Sequence, residues 1–293
     1  MLDFKPLHPQ DAQILRPYLT GEGRICDNTP GTAVMWRGSF NTHYAVRNGT
    51  AVLRMYHSQG GETYSYPSGN APEELLEEII SDTRKRGVTP RFCSMSRGLA
   101  EALCARCGGE PTASRRWADY LYPAENFISY SGRKLHEKRN HVNRFLAEHS
   151  DWEYVPIDSS SLPRAREFYS DYMKRNVKDS PIARHEAKIC LEVLDRWSDY
   201  GFSGGILIAG GAIVGITAGE AIGDTLYVHI EKAERTVNGA YQMLASCFVR
   251  SFGDKVAFVN REDDSGDAGL RQSKLSLCPC ELLYKYTLEI AGG

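Results

Sequence analysis

The stretch Lys255-Val-Ala-Phe-Val-Asn-Arg-Glu-Asp-Asp-Ser-Gly-Asp-Ala-Gly-Leu-Arg-Gln-Ser-Lys-Leu-Ser276 decides how the rest of the chain is read. Val256 to Val259 form a short β-prone run of the kind that becomes a buried strand. Four charges then arrive in a row, Arg261, Glu262, Asp263 and Asp264, followed by Ser265-Gly266 and a short helical turn from Asp267 to Lys274. In open α/β sheets ligands bind where the carboxyl end of a strand meets the next helix, so opposed charges in such a loop mark a candidate site. A plainer role stands beside it: Asp267 complements a helix N-terminus and forms an i,i+4 surface pair with Arg271. A calcium loop is excluded. In the register starting at Asp263, Ala268 stands where glycine is required and Lys274 where the bidentate glutamate belongs.

Working outward, 293 residues allow one large domain or two ordinary ones, and 35 Lys+Arg against 37 Asp+Glu disfavour a globally basic nucleic-acid binder. The start Met1-Leu-Asp-Phe-Lys5 lacks a basic region followed by an apolar core, so no signal peptide is expected and the location is read as cytoplasmic. The longest apolar run, Gly205 to Ala218, is interrupted by Gly210, Gly211 and Gly215 and reads as two strands joined by a tight turn, without stable membrane insertion. Eight cysteines without a secretory signal read as reduced thiols. Cys104 with Cys107, and Cys278 with Cys280, are half-sites without partners at zinc spacing, so no metal is expected. His136 and His141 are one residue too far apart for a zinc-protease helix, because Asn140 occupies the fourth place.

Along the chain, Leu2 to Leu7 reads as a strand and Pro9 to Leu19 as a helix, with a helical turn at Thr32 to Trp36. Strands follow at His43 to Arg47, Ala51 to His57 and Glu62 to Tyr66, the first two joined by the hairpin turn Asn48-Gly49. A helix capped by Asn70 runs from Pro72 to a stop at Gly87, burying Leu75, Leu76, Ile79 and Ile80. A strand (Pro90 to Ser94), a helix (Arg97 to Cys107) and a strand (Trp117 to Tyr122) complete the first half. The second half brings a helix through Ser131 to Leu146, a strand at Trp152 to Ile157, and helices at Leu162 to Asn176 and Glu186 to Tyr200. Three strands follow, Gly205 to Ala209, Ala212 to Ile222 and Thr225 to Ile230, then a helix from Gly239 to Phe252. The opening stretch and a last strand, Glu281 to Glu289, close the chain.

Between Ser131 and Leu146 a narrow apolar stripe of Leu135, Val142, Phe145 and Leu146 is surrounded by Arg133, Lys134, Lys138, Arg139 and Arg144 against the single acid Glu137. His136 and His141 add to it. A solvated charged face explains most such helices. The one-sided sign here favours an anionic ligand, a phosphate or nucleic acid. This cationic helix and the Arg261–Asp264 cluster are expected to face one cleft.

Both halves show one order: strand, two helices, three strands, helix, strand, helix, strand. That order resembles two tandem acyltransferase domains of the GNAT type, an α+β fold in which mixed, mainly antiparallel sheets are flanked by helices. The expected division is residues 1–130, a structural domain, and 131–293, the domain with the site. Such domains hold the coenzyme A pyrophosphate on a helix N-terminus with the pattern [RQ]xxGx[GA]. Here the equivalent loop is Arg235-Thr-Val-Asn-Gly-Ala240: Arg235 and Ala240 match, while Asn238 replaces the first glycine and Gly239 is displaced by one. The departure weakens acyl-CoA binding without excluding it, and coenzyme A is the cofactor this loop would take.

Two long motifs carry a closer resemblance. Gly132-Arg-Lys-Leu-His-Glu-Lys-Arg-Asn-His-Val-Asn-Arg-Phe145 and Val259-Asn-Arg-Glu-Asp-Asp-Ser-Gly-Asp-Ala-Gly-Leu-Arg-Gln-Ser-Lys-Leu275 resemble the paired signatures of the DUF2156 group, which is similar to the C-terminal catalytic domain of phosphatidylglycerol lysyltransferases. The resemblance implies a double GNAT fold and, by analogy, transfer of an aminoacyl group from a charged tRNA to an acceptor the sequence does not name. The sequence is read as departing from the membrane enzymes in having no transmembrane flippase segment, which counts against a lipid acceptor. In that scheme Lys274 or Arg271 would stabilise the oxyanion, Asp263 or Glu262 would hold the donor's ammonium or take the acceptor's proton, and His229 is an alternative base. Arg133, Lys138, Arg139, His141 and Arg144 would meet tRNA phosphates. Two readings compete: an acyl-CoA-dependent N-acyltransferase, and a non-catalytic binder of tRNA or nucleotide.

Overall fold

The computed structural model describes residues 2–57, 61–176 and 181–290. The chain forms two compact units, and the first takes two segments from the far part of the sequence. One unit contains Met1–Asp119, Asp263–Gly266 and Leu282–Gly293; the other contains Tyr120–Glu262 and Asp267–Glu281. The sequence halves at 1–130 and 131–293 have thus exchanged their closing strands.

In the first unit the strands run in the order Lys5–Pro6, His43–Arg47, Thr50–His57, Gly61–Ser65, Arg91–Met95, Tyr286–Glu289, Thr112–Ala113. Asn48 and Gly49 both have positive φ, 50° and 67°, the requirement of the two-residue hairpin turn expected there. Gly61–Ser65 and Arg91–Met95 are parallel, and the helix Pro72–Lys85 crosses between them. Its Leu75, Leu76, Ile79 and Ile80 pack on Phe92, Met95, Leu103 and Leu288. Each such side chain contributes about 1.5–3 kcal/mol on burial. The helix is not capped by Asn70: Ala71 is the N-cap, and Asn70 instead donates its amide to the Gly49 carbonyl at 3.0 Å.

The second unit's sheet runs Glu281–Leu283, Asp119–Pro123, Phe258–Asn260, Thr225–Ala233, Ala212–Ile222, Ser203–Ala209, Glu153–Pro156. Thr225–Ala233 and Phe258–Asn260 are parallel and joined by the helix Ala240–Arg250; the other neighbours whose register is defined are antiparallel. That helix covers one face, where a Cβ on Gly215 would stand 3.1 Å from Leu244. Trp197 covers the opposite face, 2.7 Å from where a Cβ on Gly204 would be. Both approaches need glycine, and the alternation of side chains along a strand puts them on opposite sides.

The expected closing strand Glu281 to Glu289 is two strands, Glu281–Leu283 and Tyr286–Glu289, in different sheets. Between them Lys285 is drawn into a buried carboxylate cluster, which breaks the run. The cationic helix begins at His136 and not at Ser131. Tyr130 and Gly132 have φ of 47° and 81°, and the Arg139 guanidinium donates to their carbonyls at 2.7 and 3.4 Å, so this turn is held open as a loop. The helix expected at Glu186 to Tyr200 starts earlier, at Pro181, and is broken at Arg196 into Pro181–Asp195 and Trp197–Tyr200.

Candidate functional site

The loop after Phe258–Asn260 winds on itself before any ligand is considered. Asn260 Oδ1 accepts from the Glu262 amide at 2.7 Å, and Asp263 Oδ1 accepts from the Ser265 amide at 2.8 Å. Both are short local turns of the kind Asn and Asp side chains make. Glu262 itself sits at φ 57°, a left-handed backbone that few non-glycine residues adopt and that recurs at working sites. Strand 119–123 and helix Ala268–Leu275 fix the loop further. The Tyr120 amide donates to the Glu262 carbonyl at 3.2 Å, and Lys274 Nζ donates to the Arg261 and Glu262 carbonyls at 2.6 and 3.1 Å. Tyr122 OH in turn donates to the Lys274 carbonyl at 3.0 Å.

The four consecutive charges each turn to a partner far away in sequence. Arg261 pairs with Glu231, Glu262 with His229, Asp263 with Lys285 and Asp264 with Arg115. Within the second unit the centre of this arrangement is His229. Its Nδ1 lies 2.9 Å from Glu262 Oε1 and its Nε2 lies 3.2 Å from Glu220 Oε1. The register explains how a strand residue reaches both: Ala218 pairs with Ile230 and Gly219 with Val228, so His229 is the extra residue of a β-bulge. Phe202 stacks on the imidazole with centroids 4.9 Å apart. Burial alone would push the imidazole's pKa down, but hydrogen bonds and charge attraction from Glu220 and Glu262 outweigh it and hold the pKa up at about 9. His229 is therefore an imidazolium at neutral pH, with both ring nitrogens donating.

Within the first unit, Lys285 is the counterpart. Its ammonium lies 2.6 Å from Asp27, 2.9 Å from Asp119, 3.6 Å from Asp263 and 3.2 Å from Cys26 Sγ. Burial opposes its charge, and the carboxylates and the thiol more than restore it, so its pKa lies well above the usual lysine range.

The expected site residues therefore fall into groups. Glu262 and His229 are brought together. Asp263 is engaged by Ser265 and Lys285. Lys274 is buried with its ammonium on main-chain carbonyls, which makes it a brace of the loop. Arg271 is half-buried on the same short helix, whose cap is Asp267, accepting from the Leu270 amide at 2.8 Å. On the cationic helix, Arg139 is used by the turn before it, and Arg144 pairs with Glu148 at 2.7 Å, an acid just beyond the stretch first read. Arg133, Lys138 and His141 are left without an ion pair among the described residues, with Arg133 and His141 exposed.

The cationic helix packs on Ala240–Arg250 through Phe145. Gly239, at φ 76°, lies against that helix: a Cβ there would overlap the His141 carbonyl oxygen, 2.8 Å from its carbon and 3.0 Å from Phe145 Cβ. The Arg235–Ala240 loop thus spends its glycine on a helix. Asn238 donates to Glu148 at 3.3 Å, which places a carboxylate beside the loop that would take a pyrophosphate, and Arg235 is exposed. His229, by contrast, lies on the sheet face that carries Phe202 and Trp197. The cationic helix and the His229 cluster, expected to share one cleft, are on opposite faces of the sheet.

Sequence reading missed Glu220, Glu231, Asp27, Asp119, Cys26 and Lys285. Glu220 had a signal: it is the lone carboxylate in the apolar strand Ala212–Ile222, and buried charges in apolar strands are rare unless paired. Among the described residues no group of three or more His, Cys, Asp and Glu could hold a metal ion, and no helix is long and apolar enough to cross a membrane.

Two mixed sheets flanked by helices, each with three antiparallel strands leading into a parallel pair around a crossover helix, define a protein of the tandem GNAT-like acyltransferase fold. The chain belongs to the family of the phosphatidylglycerol lysyltransferase C-terminal domain, whose model matches residues 22–289. A conserved protein of unknown function from Bacteroides thetaiotaomicron VPI-5482 is similar over 99% of this chain and 100% of its own, with 28% identity and a TM-score of 0.91. L-PGS from Bacillus licheniformis shares the fold at a TM-score of 0.60, with 13% identity over 85% of this chain and 83% of that one. An uncharacterised protein of Mycoplasmoides gallisepticum is 24% identical over 173 residues, 59% of this chain. The chain spans about half the length of that curated relative, 56%.

Proposed function

We propose that this protein is an aminoacyl transferase that moves an aminoacyl group from a charged tRNA to a nucleophilic acceptor. The observation that carries the reading is the Glu262–His229 pair on a bulged strand in a chain of the lysyltransferase family. Transfer from an ester needs a group that takes a proton from the attacking amine or hydroxyl, and a partly exposed carboxylate held by a histidine at the end of a strand is such a group. Arg133 and Lys138, without an ion pair among the described residues, supply positive charge for phosphates. That charge need not lie on the face of His229, because the acceptor end of a charged tRNA is a single-stranded tail that can pass around the end of the sheet.

The acyl-CoA reading has less support, since the His141 carbonyl and Glu148 crowd the loop that would hold the pyrophosphate. A thermal-shift screen of aminoacyl-tRNAs against acyl-CoAs decides between the donors. Stabilisation by one or more charged tRNAs, and release of labelled amino acid to an acceptor, are expected. Stabilisation by coenzyme A alone would replace this reading by the N-acyltransferase one. Binding of tRNA irrespective of charging, with no release, would leave a non-catalytic binder. Reversing charge at Arg133 and Lys138 is expected to weaken tRNA binding and flatten its salt dependence, by about one in slope for each phosphate that the protein no longer neutralises.

A further inference from the structure

We infer that Glu262 is the proton-transferring group of this site and that Glu220 and His229 form a buried positioning pair which aims it. The inference rests on the transferase reading and assigns its acid–base chemistry.

The geometry divides the three residues by what each can still do. Both His229 nitrogens face carboxylate oxygens, at 2.9 and 3.2 Å, so both must carry hydrogen and neither has a lone pair to offer an incoming proton. His229 therefore does not serve as the base. Its side chain is 0% exposed and that of Glu220 1%, which places both beyond the reach of a substrate. Glu262 is different. Its side chain is 25% exposed, only its Oε1 is on His229, and its Oε2 has no hydrogen-bond partner among the described residues. Four features fix where that oxygen points: the left-handed backbone of Glu262, the Lys274 brace on its carbonyl, the hydrogen bond from the imidazolium, and the Phe202 ring behind the imidazole.

Glu220 has a defined task in this arrangement. A histidine beside one carboxylate can hold a single proton on that side and remain neutral. A second carboxylate on the opposite nitrogen makes the doubly protonated ring the stable form. The doubly protonated ring then faces Glu262 Oε1 as a hydrogen-bond donor at 2.9 Å and holds that side chain in one orientation until the acceptor arrives. Lys232, further along the same strand, is paired with Glu186 at 2.7 Å. In the transfer step the acceptor's hydroxyl or neutral amine attacks the ester carbonyl of the aminoacyl-tRNA. A bond forms between its oxygen or nitrogen and the carbonyl carbon, and its proton passes to Glu262. The ester C–O bond then breaks, and the same proton passes from Glu262 to the leaving ribose oxygen. No other reactant is needed.

Two measurements on the full chain test this. The first needs no substrate: nitrogen-15 NMR of the histidine side chains in the native protein and in Glu220→Gln at pH 7.5. The wild type is expected to show one histidine with both nitrogens protonated, assigned by its loss in His229→Asn, and Glu220→Gln is expected to convert it to a neutral ring. A neutral His229 in the wild type, or an unchanged one in Glu220→Gln, overturns the positioning pair whatever the reaction proves to be. The second follows transfer once a charged tRNA has been found. Glu262→Gln is expected to lower the rate about 10²–10⁴-fold with tRNA affinity unchanged. Glu220→Gln is expected to retain tRNA binding and fold while the alkaline limb of its pH–rate profile moves to lower pH. Undiminished turnover in Glu262→Gln, or superimposable pH profiles for Glu220→Gln and wild type, refutes the assignment. If no charged tRNA serves as donor, the transferase reading fails while the NMR result still stands or falls alone.

Discussion

Replacing Gly239 by alanine tests the contact that seats the cationic helix. Gly239 lies at φ 76°, and an L-residue held in left-handed backbone costs about 1–2 kcal/mol. A methyl there would also overlap the His141 carbonyl and stand 3.0 Å from Phe145 Cβ. The backbone of residues 136–148 must therefore lift away from helix Ala240–Arg250. Phe145 is 0% exposed, and complete loss of a buried phenylalanine costs about 3–5 kcal/mol, so forfeiting a third of its packing adds roughly 1 kcal/mol or more. The sum is about 3 kcal/mol, or about two decades in the folded-to-unfolded ratio. Urea unfolding followed through Trp152, whose ring centroid is 6.5 Å from that of Phe145, reports it locally. Hydrogen exchange across 136–148 and 240–250 shows whether protection is lost there first. Gly210→Ala is the control, because Gly210 has φ 60° with nothing within 4 Å of its Cβ position and carries the backbone strain alone. Equal losses in Gly239→Ala and Gly210→Ala would refute the claim that close helix approach is what Gly239 is for.

Lys285→Met is expected to cost about 3–5 kcal/mol, since it strands the fully buried Asp119 carboxylate, and the fall in urea midpoint measures it. Lys274→Met removes two hydrogen bonds from a charged donor, worth about 1.5–3 kcal/mol each, so residues 260–262 should become the first to exchange amide hydrogens. The pKa of His229 is raised in the folded state, so its contribution is fully present below the unfolded value near 6.5 and is lost as pH rises through about 9. The unfolding free energy from urea titrations should fall between pH 7 and 9.5 by an amount on the order of 3 kcal/mol, and the drop should be much smaller in Glu220→Gln.

The fold was legible because periodicity and turn chemistry are local. Leu75, Leu76, Ile79 and Ile80 announce their helix, and Asn48-Gly49 its hairpin, without knowledge of anything distant. The site was legible only in outline, because partnership is not local. Glu262 stood out as part of a charged run, but nothing near it in sequence says that its carboxylate is bound by His229, 33 positions away. Arg139 looked like a phosphate ligand until the preceding turn claimed it, and Lys274 looked like an oxyanion ligand until two carbonyls did. A guanidinium or ammonium reads the same whether it ends on solvent, on a ligand or on its own backbone. Lys285 gave no signal, since a lysine in a run expected to be one strand resembles any edge residue until the chain divides there.

The separate partners of Arg261 to Asp264 bear on why these charges are present at all. Taking ions out of water costs more than their attraction commonly returns, and well-packed apolar pairs often replace buried ion pairs with a gain of about 1–4 kcal/mol. Of the four, Asp264 is fully buried, while Arg261, Glu262 and Asp263 are 19%, 25% and 18% exposed and their pairs return less still, so stability alone gives little reason for four charges in a row. Charges retained at that cost point to chemistry, in keeping with the rule that local conflict between sequence and stability concentrates at working sites. The Arg261–Glu231 pair offers the cleanest trial, because its side chains are only 19% and 9% exposed and Arg261 also lies over the Phe127 ring. Glu231→Leu alone should destabilise by about 3–5 kcal/mol, as it abandons a buried guanidinium. Combined with Arg261→Met, the loss should be recovered or reversed in the urea midpoint, while aminoacyl transfer stays impaired because the main chain leading into Glu262 is no longer pinned. A double variant as unstable as the single one, or one that transfers as well as wild type, would show that the pair serves the fold and not the site.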